Sequence, residues 1–224
     1  MDESRSELDE QVRREPFLFA PWPVVALCLA LLVLYALQAA IGTDALIARY
    51  GLSHQALAEH RYETLVTYGF LHVGWAHVIL NTLGLFIFGP PVARLMGAGP
   101  RGVLALAAFY LTTEVLSALG LLAVDRNSQV LVVGASGAVS GLMGAAARLI
   151  EGQGRVGPLF GRTVVGFTLV WGALNVILGV FRLTPGAFGQ AVAWQAHLAG
   201  FFAGLLLIGL FARLAGRGDA AFTH

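Results

Sequence analysis

Residues 133–145 read VGASGAVSGLMGA, and the fold turns on whether this stretch packs in a soluble core or crosses a membrane. Gly137 and Gly141 form a GxxxG pair, the spacing that lets two transmembrane helices approach to backbone contact. The whole chain matches that reading: 57% of its 224 residues are hydrophobic and only 12% are charged, with a mean hydropathy of +0.75. This is the composition of a membrane protein. A formal net charge of +1 and the lack of any long basic run give no reason to expect a nucleic-acid partner. Cys28 is the one cysteine, which excludes an intrachain disulfide and a Cys-rich zinc site. No metal or cofactor is expected.

A helix needs about 20 mostly apolar residues to cross a hydrocarbon core of about 30 Å. Six stretches meet or approach that length, over residues 22–41, 75–95, 103–124, 131–150, 164–181 and 192–214. The charged head MDESRSELDEQVRREP is too long and too acidic for the basic end of a signal peptide, so the first span is expected to be retained. Every basic residue is arginine, and the arginines divide unevenly between the two ends of the spans. With a cytoplasmic N-terminus, that side receives Arg5, Arg13, Arg14, Arg94, Arg101, Arg148, Arg155, Arg162, Arg213 and Arg217, and the other side keeps Arg49, Arg61, Arg126 and Arg182. The expected organisation is a cytoplasmic tail over 1–16, one six-span membrane domain over 17–214 and a cytoplasmic tail over 215–224. The long connection over 42–74 contains HRYETLVTYGFLHVG, whose mixed aromatic, charged and apolar character suits a partly embedded interfacial segment.

Polar groups inside spans are costly and mark a bundle interior or a water-filled cavity. The second span offers His77 and Asn81, preceded by His72; the third Glu114, the fourth Ser136 and Ser140, the fifth Asn175, and the sixth Gln195 and His197. His77 and Asn81 are four apart and share one helix face. Ser136 lies about five residues inside its span, roughly 8 Å deep at about 1.5 Å per residue, and His197 is similarly placed from the same side. A serine becomes a nucleophile when a base within hydrogen-bond reach takes its proton, and His197 is the available base. No carboxylate adjoins His197 in sequence, which favours a dyad over a triad. His77, Asn81 and the backbone N–H of Ser136 are suited to stabilise an oxyanion. If the run before Ser136 enters extended and turns helical only near it, Gly134 supplies flexible backbone beside the oxyanion and the helix N-terminus adds a favourable dipole.

Other chemistries lack their residues. There is no HExxH for a metalloprotease, and His72 and His77 are five apart, on different helix faces. Asp44 and Asp125 fall in connections rather than in spans, which removes an aspartyl intramembrane protease. GASGA has no GxSxG spacing and no strand pattern ahead of it.

FLHVGWAHVILN (70–81), GASG (134–137) and AHLAGFFAG (196–204) occur in the order and with the HxxxN, GxSG and AHxxGxxxG patterns of one family. The chain resembles a rhomboid intramembrane serine protease of the compact six-span bacterial type. The resemblance implies an all-α membrane fold, a six-transmembrane-helix rhomboid-like bundle with both termini cytoplasmic. It implies Ser136 as nucleophile, His197 as base, and His77 with Asn81 in the oxyanion hole, with Gly134 at the first glycine of the nucleophile motif. His72 would sit at the family's histidine near the second span, and Gly200 and Gly204 would let the sixth helix pack against the fourth. The implied partners are transmembrane protein substrates and the lipid bilayer. The implied location is the bacterial inner membrane, with the active site opening to the extracytoplasmic side.

Two departures stand out. Many members carry a Trp-Arg pair ahead of the FLH segment, where this chain has Glu63 and Thr64, with Arg61 three residues too early. The family often has an aromatic residue one turn after the nucleophile to stack on the histidine; here that position is Ser140, expected as a hydrogen-bonding support for the base. Two other readings stay open from sequence: a non-catalytic rhomboid-like protein that binds membrane clients, and a small transporter using His77 and His197 as a proton relay.

Overall fold

The computed structural model describes residues 20–126, 131–181 and 193–218. The expected N-terminal tail over 1–16 lies outside the described residues, as do Arg182, the first residue of the expected 192–214 span and most of the expected C-terminal tail. The described chain is all-helical, apart from isolated bridges.

Apolar runs become helices here because a helix satisfies every backbone N–H and C=O within itself. Helix α1 spans Trp22–Ile41. The connection that follows is built from three short helices, α2 (Thr43–Tyr50), α3 (His54–Ala58) and α4 (Thr64–Thr67), and a 3-10 turn over Tyr68–Phe70. Then come α5 (Trp75–Met96), α6 (Pro100–Val124), α7 (Ser136–Glu151), α8 (Arg162–Phe181) and α9 (Trp194–Leu214). Among the described residues, five helices (α1, α5, α6, α8 and α9) are long and apolar enough to cross a membrane.

The fourth apolar stretch is shorter as a helix than as an apolar run. The span expected over 131–150 is helical only from Ser136, the second of the two arrangements the sequence left open, and α7 has 16 residues. The preceding residues find backbone partners elsewhere. Leu52 and Val132 exchange N–H···O bonds of 3.0 and 2.8 Å, and Gly134 N–H donates to the Tyr68 carbonyl at 2.9 Å. Once those groups are paired with the first connection, the helix has no claim on them. The third helix begins at Pro100 rather than at 103, because proline at the first turn gives up no hydrogen bond.

Helix α7 is the hub, touching α5, α6, α8 and α9. Its glycines decide how closely α9 lies. A Cβ at Gly200 would collide with the Gly137 carbonyl oxygen, one at Gly204 with the Gly141 carbonyl oxygen, and one at Gly144 with the Phe201 carbonyl oxygen. The two helices are therefore in backbone contact along their length, which any larger residue at these positions would prevent. The main core joins α1, α5, α6, α7 and α9 through residues such as Leu31, Leu85, Phe109, Leu142 and Ile208.

The first connection packs rather than trails. Leu52, Ala56, Thr64 and Tyr68 are buried, and Leu52 and Tyr68 meet Leu121 and Ala196. Arg61 donates to the Arg49 and Ala48 carbonyls at 2.9 and 3.3 Å, capping the last turn of α2, and pairs with Glu59 at 3.0 Å. Arg61 thus ties this connection together.

Candidate active site

Ser136 is the first residue of α7, where a helix presents N–H groups without intrahelical partners. The turn that delivers it passes through Gly134 at φ +124°, a backbone region that glycine enters without strain. A Cβ there would also lie 2.7 Å from His77 Nε2, so the backbone beside Ser136 passes directly under that ring. From α9, 61 residues further along the chain, His197 Nε2 reaches Ser136 Oγ at 2.7 Å. Its other ring nitrogen, Nδ1, lies 2.7 Å from Asn175 Oδ1 on α8.

His77 and Asn81 project from α5 toward the same place. Asn81 is buried, and its Nδ2 has no hydrogen-bond partner among the described residues; it would be 3.6 Å from a Cβ at Gly134. A buried amide donor left unpaired beside the backbone at Gly134 is a donor available to an incoming acceptor. His72 precedes α5 and is fully buried, with its ring edge-on to His77 at 5.0 Å between centroids. Burial, and then the neighbouring His77, pushes its pKa down to about 3, so its ring is neutral. Gln38 of α1 clamps its backbone: Gln38 Nε2 donates to the His72 carbonyl at 2.6 Å, and His72 N–H donates to Gln38 Oε1 at 3.0 Å.

Sequence reasoning missed the bracing from α6. Glu114 is fully buried, and its Oε2 accepts the Ala138 N–H at 2.6 Å, so a carboxyl group supplies the acceptor that the start of α7 lacks. Tyr68 O–H in turn donates to the Glu114 carbonyl at 2.9 Å. Ser117, one turn along α6, donates to the Ala196 carbonyl at 2.8 Å, holding the residue before His197. One helix thus grips the starts of the two helices that carry Ser136 and His197. The signal was present in sequence as a carboxylate and a serine three apart in an apolar run, but nothing there named their partners.

The expected role of Ser140 is corrected. Both ring nitrogens of His197 are engaged, one by Ser136 and one by Asn175, so none is left for Ser140, which is buried on α7. The aromatic support comes from a different helix: the Trp171 ring stacks on His197 with centroids 6.3 Å apart and planes at 28°. Gly200 and Gly204 lie on the α7 contact described above. Among the described residues no group of three or more His, Cys, Asp or Glu is arranged to hold a metal ion.

Residues 59–214 match the family described as Rhomboid domain. The chain is 33% identical over 108 residues to Rhomboid-like protein 16, chloroplastic, of Arabidopsis thaliana, covering 44% of this chain and 33% of that protein. It is 27% identical over 184 residues to Rhomboid protease GlpG of Serratia proteamaculans, covering 82% of this chain and 59% of that one. To Rhomboid protease GlpG of Klebsiella pneumoniae it is 25% identical over 186 residues, covering 83% and 60%. The match thus takes in about a third of the plant protein's length and about three-fifths of the bacterial ones.

Proposed function

The chain belongs to the rhomboid family, and on that premise we propose that it is an intramembrane serine endopeptidase that cuts peptide bonds in or near the transmembrane segments of other membrane proteins. The observation that carries this reading is the 2.7 Å approach of His197 Nε2 to Ser136 Oγ, together with an Asn81 Nδ2 that has no hydrogen-bond partner among the described residues.

In this mechanism Ser136 Oγ attacks the scissile carbonyl carbon while His197 Nε2 takes the hydroxyl proton. The negative charge that forms on the carbonyl oxygen is met by Asn81 Nδ2, His77 and the backbone N–H of Ser136 at the positive end of α7. The imidazolium returns its proton to the leaving amine, leaving Ser136 acylated. Water then attacks the ester with His197 again as base, releasing the acid and restoring the serine. A helical peptide bond is shielded by its own hydrogen bonds, so substrate segments that unwind easily are preferred.

The topology goes with this reading. The 16-residue α7 joins the five long helices to make six membrane elements, standing fourth among them in chain order, its extended lead-in sitting on the outer side, with both termini cytoplasmic as the arginine distribution favours. The protein then resides in a bacterial inner membrane with its site open to the extracytoplasmic side, and its partners are transmembrane substrates and the bilayer.

The test is labelling of the purified, detergent-solubilised protein with a fluorophosphonate probe, comparing wild type with Ser136→Ala and His197→Ala. Labelling of wild type that disappears in both variants is the expected result. Absence of labelling in folded wild type, with a transmembrane test substrate also left uncut, would favour a client-binding protein instead.

A further inference from the structure

Helix α8 is an odd place for a buried amide. Of its 20 residues only Val164 and Asn175 are buried, and Val165, Leu169, Val170, Leu174 and Ile177 are exposed in the way of a face turned to lipid. A carboxamide in such a helix costs free energy unless its groups are bonded.

Both ends of this one are bonded. Asn175 Nδ2 donates to the Trp171 carbonyl at 2.9 Å. A carbonyl only accepts, so that contact decides which way the amide faces, and the atom turned toward His197 is the acceptor Oδ1. The 2.7 Å contact between Oδ1 and His197 Nδ1 then requires the proton to sit on Nδ1. A neutral imidazole protonated at Nδ1 has its lone pair on Nε2, and Nε2 faces Ser136 Oγ at 2.7 Å. This is the tautomer a general base needs. Trp171, one turn before Asn175 on the same face of α8, lies against the ring and restricts its rotation.

We propose that Asn175 is the positioning residue of the catalytic base, completing a Ser136–His197–Asn175 row in which Trp171 is the second restraint. The proposal rests on the protease reading above. When Ser136 gives up its proton, His197 carries protons on both nitrogens, and Nδ1–H keeps its acceptor, so the amide oxygen favours the imidazolium without adding a second charge inside the bilayer. Both restraints come from α8, so the base is held in its working orientation only while α8 is seated against α9. This also accounts for Ser140: the stacking ring missing from α7 is supplied by α8.

The test uses the full chain in detergent. Asn175→Leu keeps much of the side-chain volume and removes the acceptor; Asn175→Asp restores an acceptor. We expect Asn175→Leu to slow fluorophosphonate labelling of Ser136 by roughly 10- to 100-fold. It should lower kcat on a transmembrane test substrate by a similar factor, with KM within about twofold of wild type. Asn175→Asp should recover most of the labelling rate. Labelling of Asn175→Leu at the wild-type rate overturns the proposal, as does equal loss in both variants with unchanged thermal melting; either leaves the protease reading standing. A wild type that does not label overturns the protease reading and the proposal with it.

Discussion

Helices α7 and α8 both supply groups to one site, yet they are built on opposite terms. Twelve of the 16 residues of α7 are buried, its glycines touch the backbone of α9, and Glu114 holds its first turn. Helix α8 buries two of its 20 residues and meets its neighbours through side chains such as Val164, Phe167 and Trp171. Ser136 therefore stands on the most constrained of the described helices, and Asn175, which faces His197 from behind, stands on one of the least. A close-packed backbone contact has few alternative arrangements, whereas a helix seated by a few side chains can shift against its neighbours at less cost.

The sharpest way to break this contrast is Gly204→Leu. Its Cβ would strike the Gly141 carbonyl, and overpacking of this kind costs about 3 kcal/mol. Loss of the monodisperse peak in size-exclusion chromatography, with loss of activity, is the expected result; a folded, active variant would mean that α7 and α9 are less tightly locked than their backbones indicate. Next comes Asn81→Ala, on the constrained side of the site. If Asn81 is an oxyanion donor as proposed, its removal should lower the rate of substrate cleavage by about 100-fold with an unchanged melting temperature, and an unaffected rate would rule that role out.

Glu114→Ala takes away the acceptor for the Ala138 N–H and should cost about 1–3 kcal/mol, read as lower thermal stability in detergent. Glu114→Gln, which keeps an acceptor oxygen, should retain most of that stability, and equal losses in the two would show that the carboxylate's contact with α7 is not what stabilises the helix start. The smallest effect belongs to α8. Gly172→Ala adds a Cβ that meets nothing within 4 Å, so stability should stay within about 0.5 kcal/mol of wild type. A large loss there would show that α8 is packed as tightly as α7.

Much of this was legible in the chain itself. The placement of the long apolar helices follows from hydropathy, and five of them run close to the stretches read from sequence. Ser136, His77, Asn81 and His197 were visible as candidates because a polar group in an apolar span is expensive enough to need a reason. The same rule flagged Asn175 and Glu114 without saying what they do. Trp171 gave no signal, since an aromatic residue in an apolar run looks like any other apolar residue.

What the sequence determined by itself was the membrane class, the approximate spans and the small set of polar residues within them, because each depends on the cost of placing a given side chain in hydrocarbon. The tertiary structure alone decided that α7 starts at Ser136, because that start depends on pairing with Leu52 and Tyr68 from a distant connection. It alone decided that Asn175, not Ser140, faces His197, and that Glu114 and Ser117 brace the two helix starts. A hydrogen bond between helices depends on their relative rotation and axial register, which are set by how side chains and glycines interlock across the whole bundle and are not written in any one span.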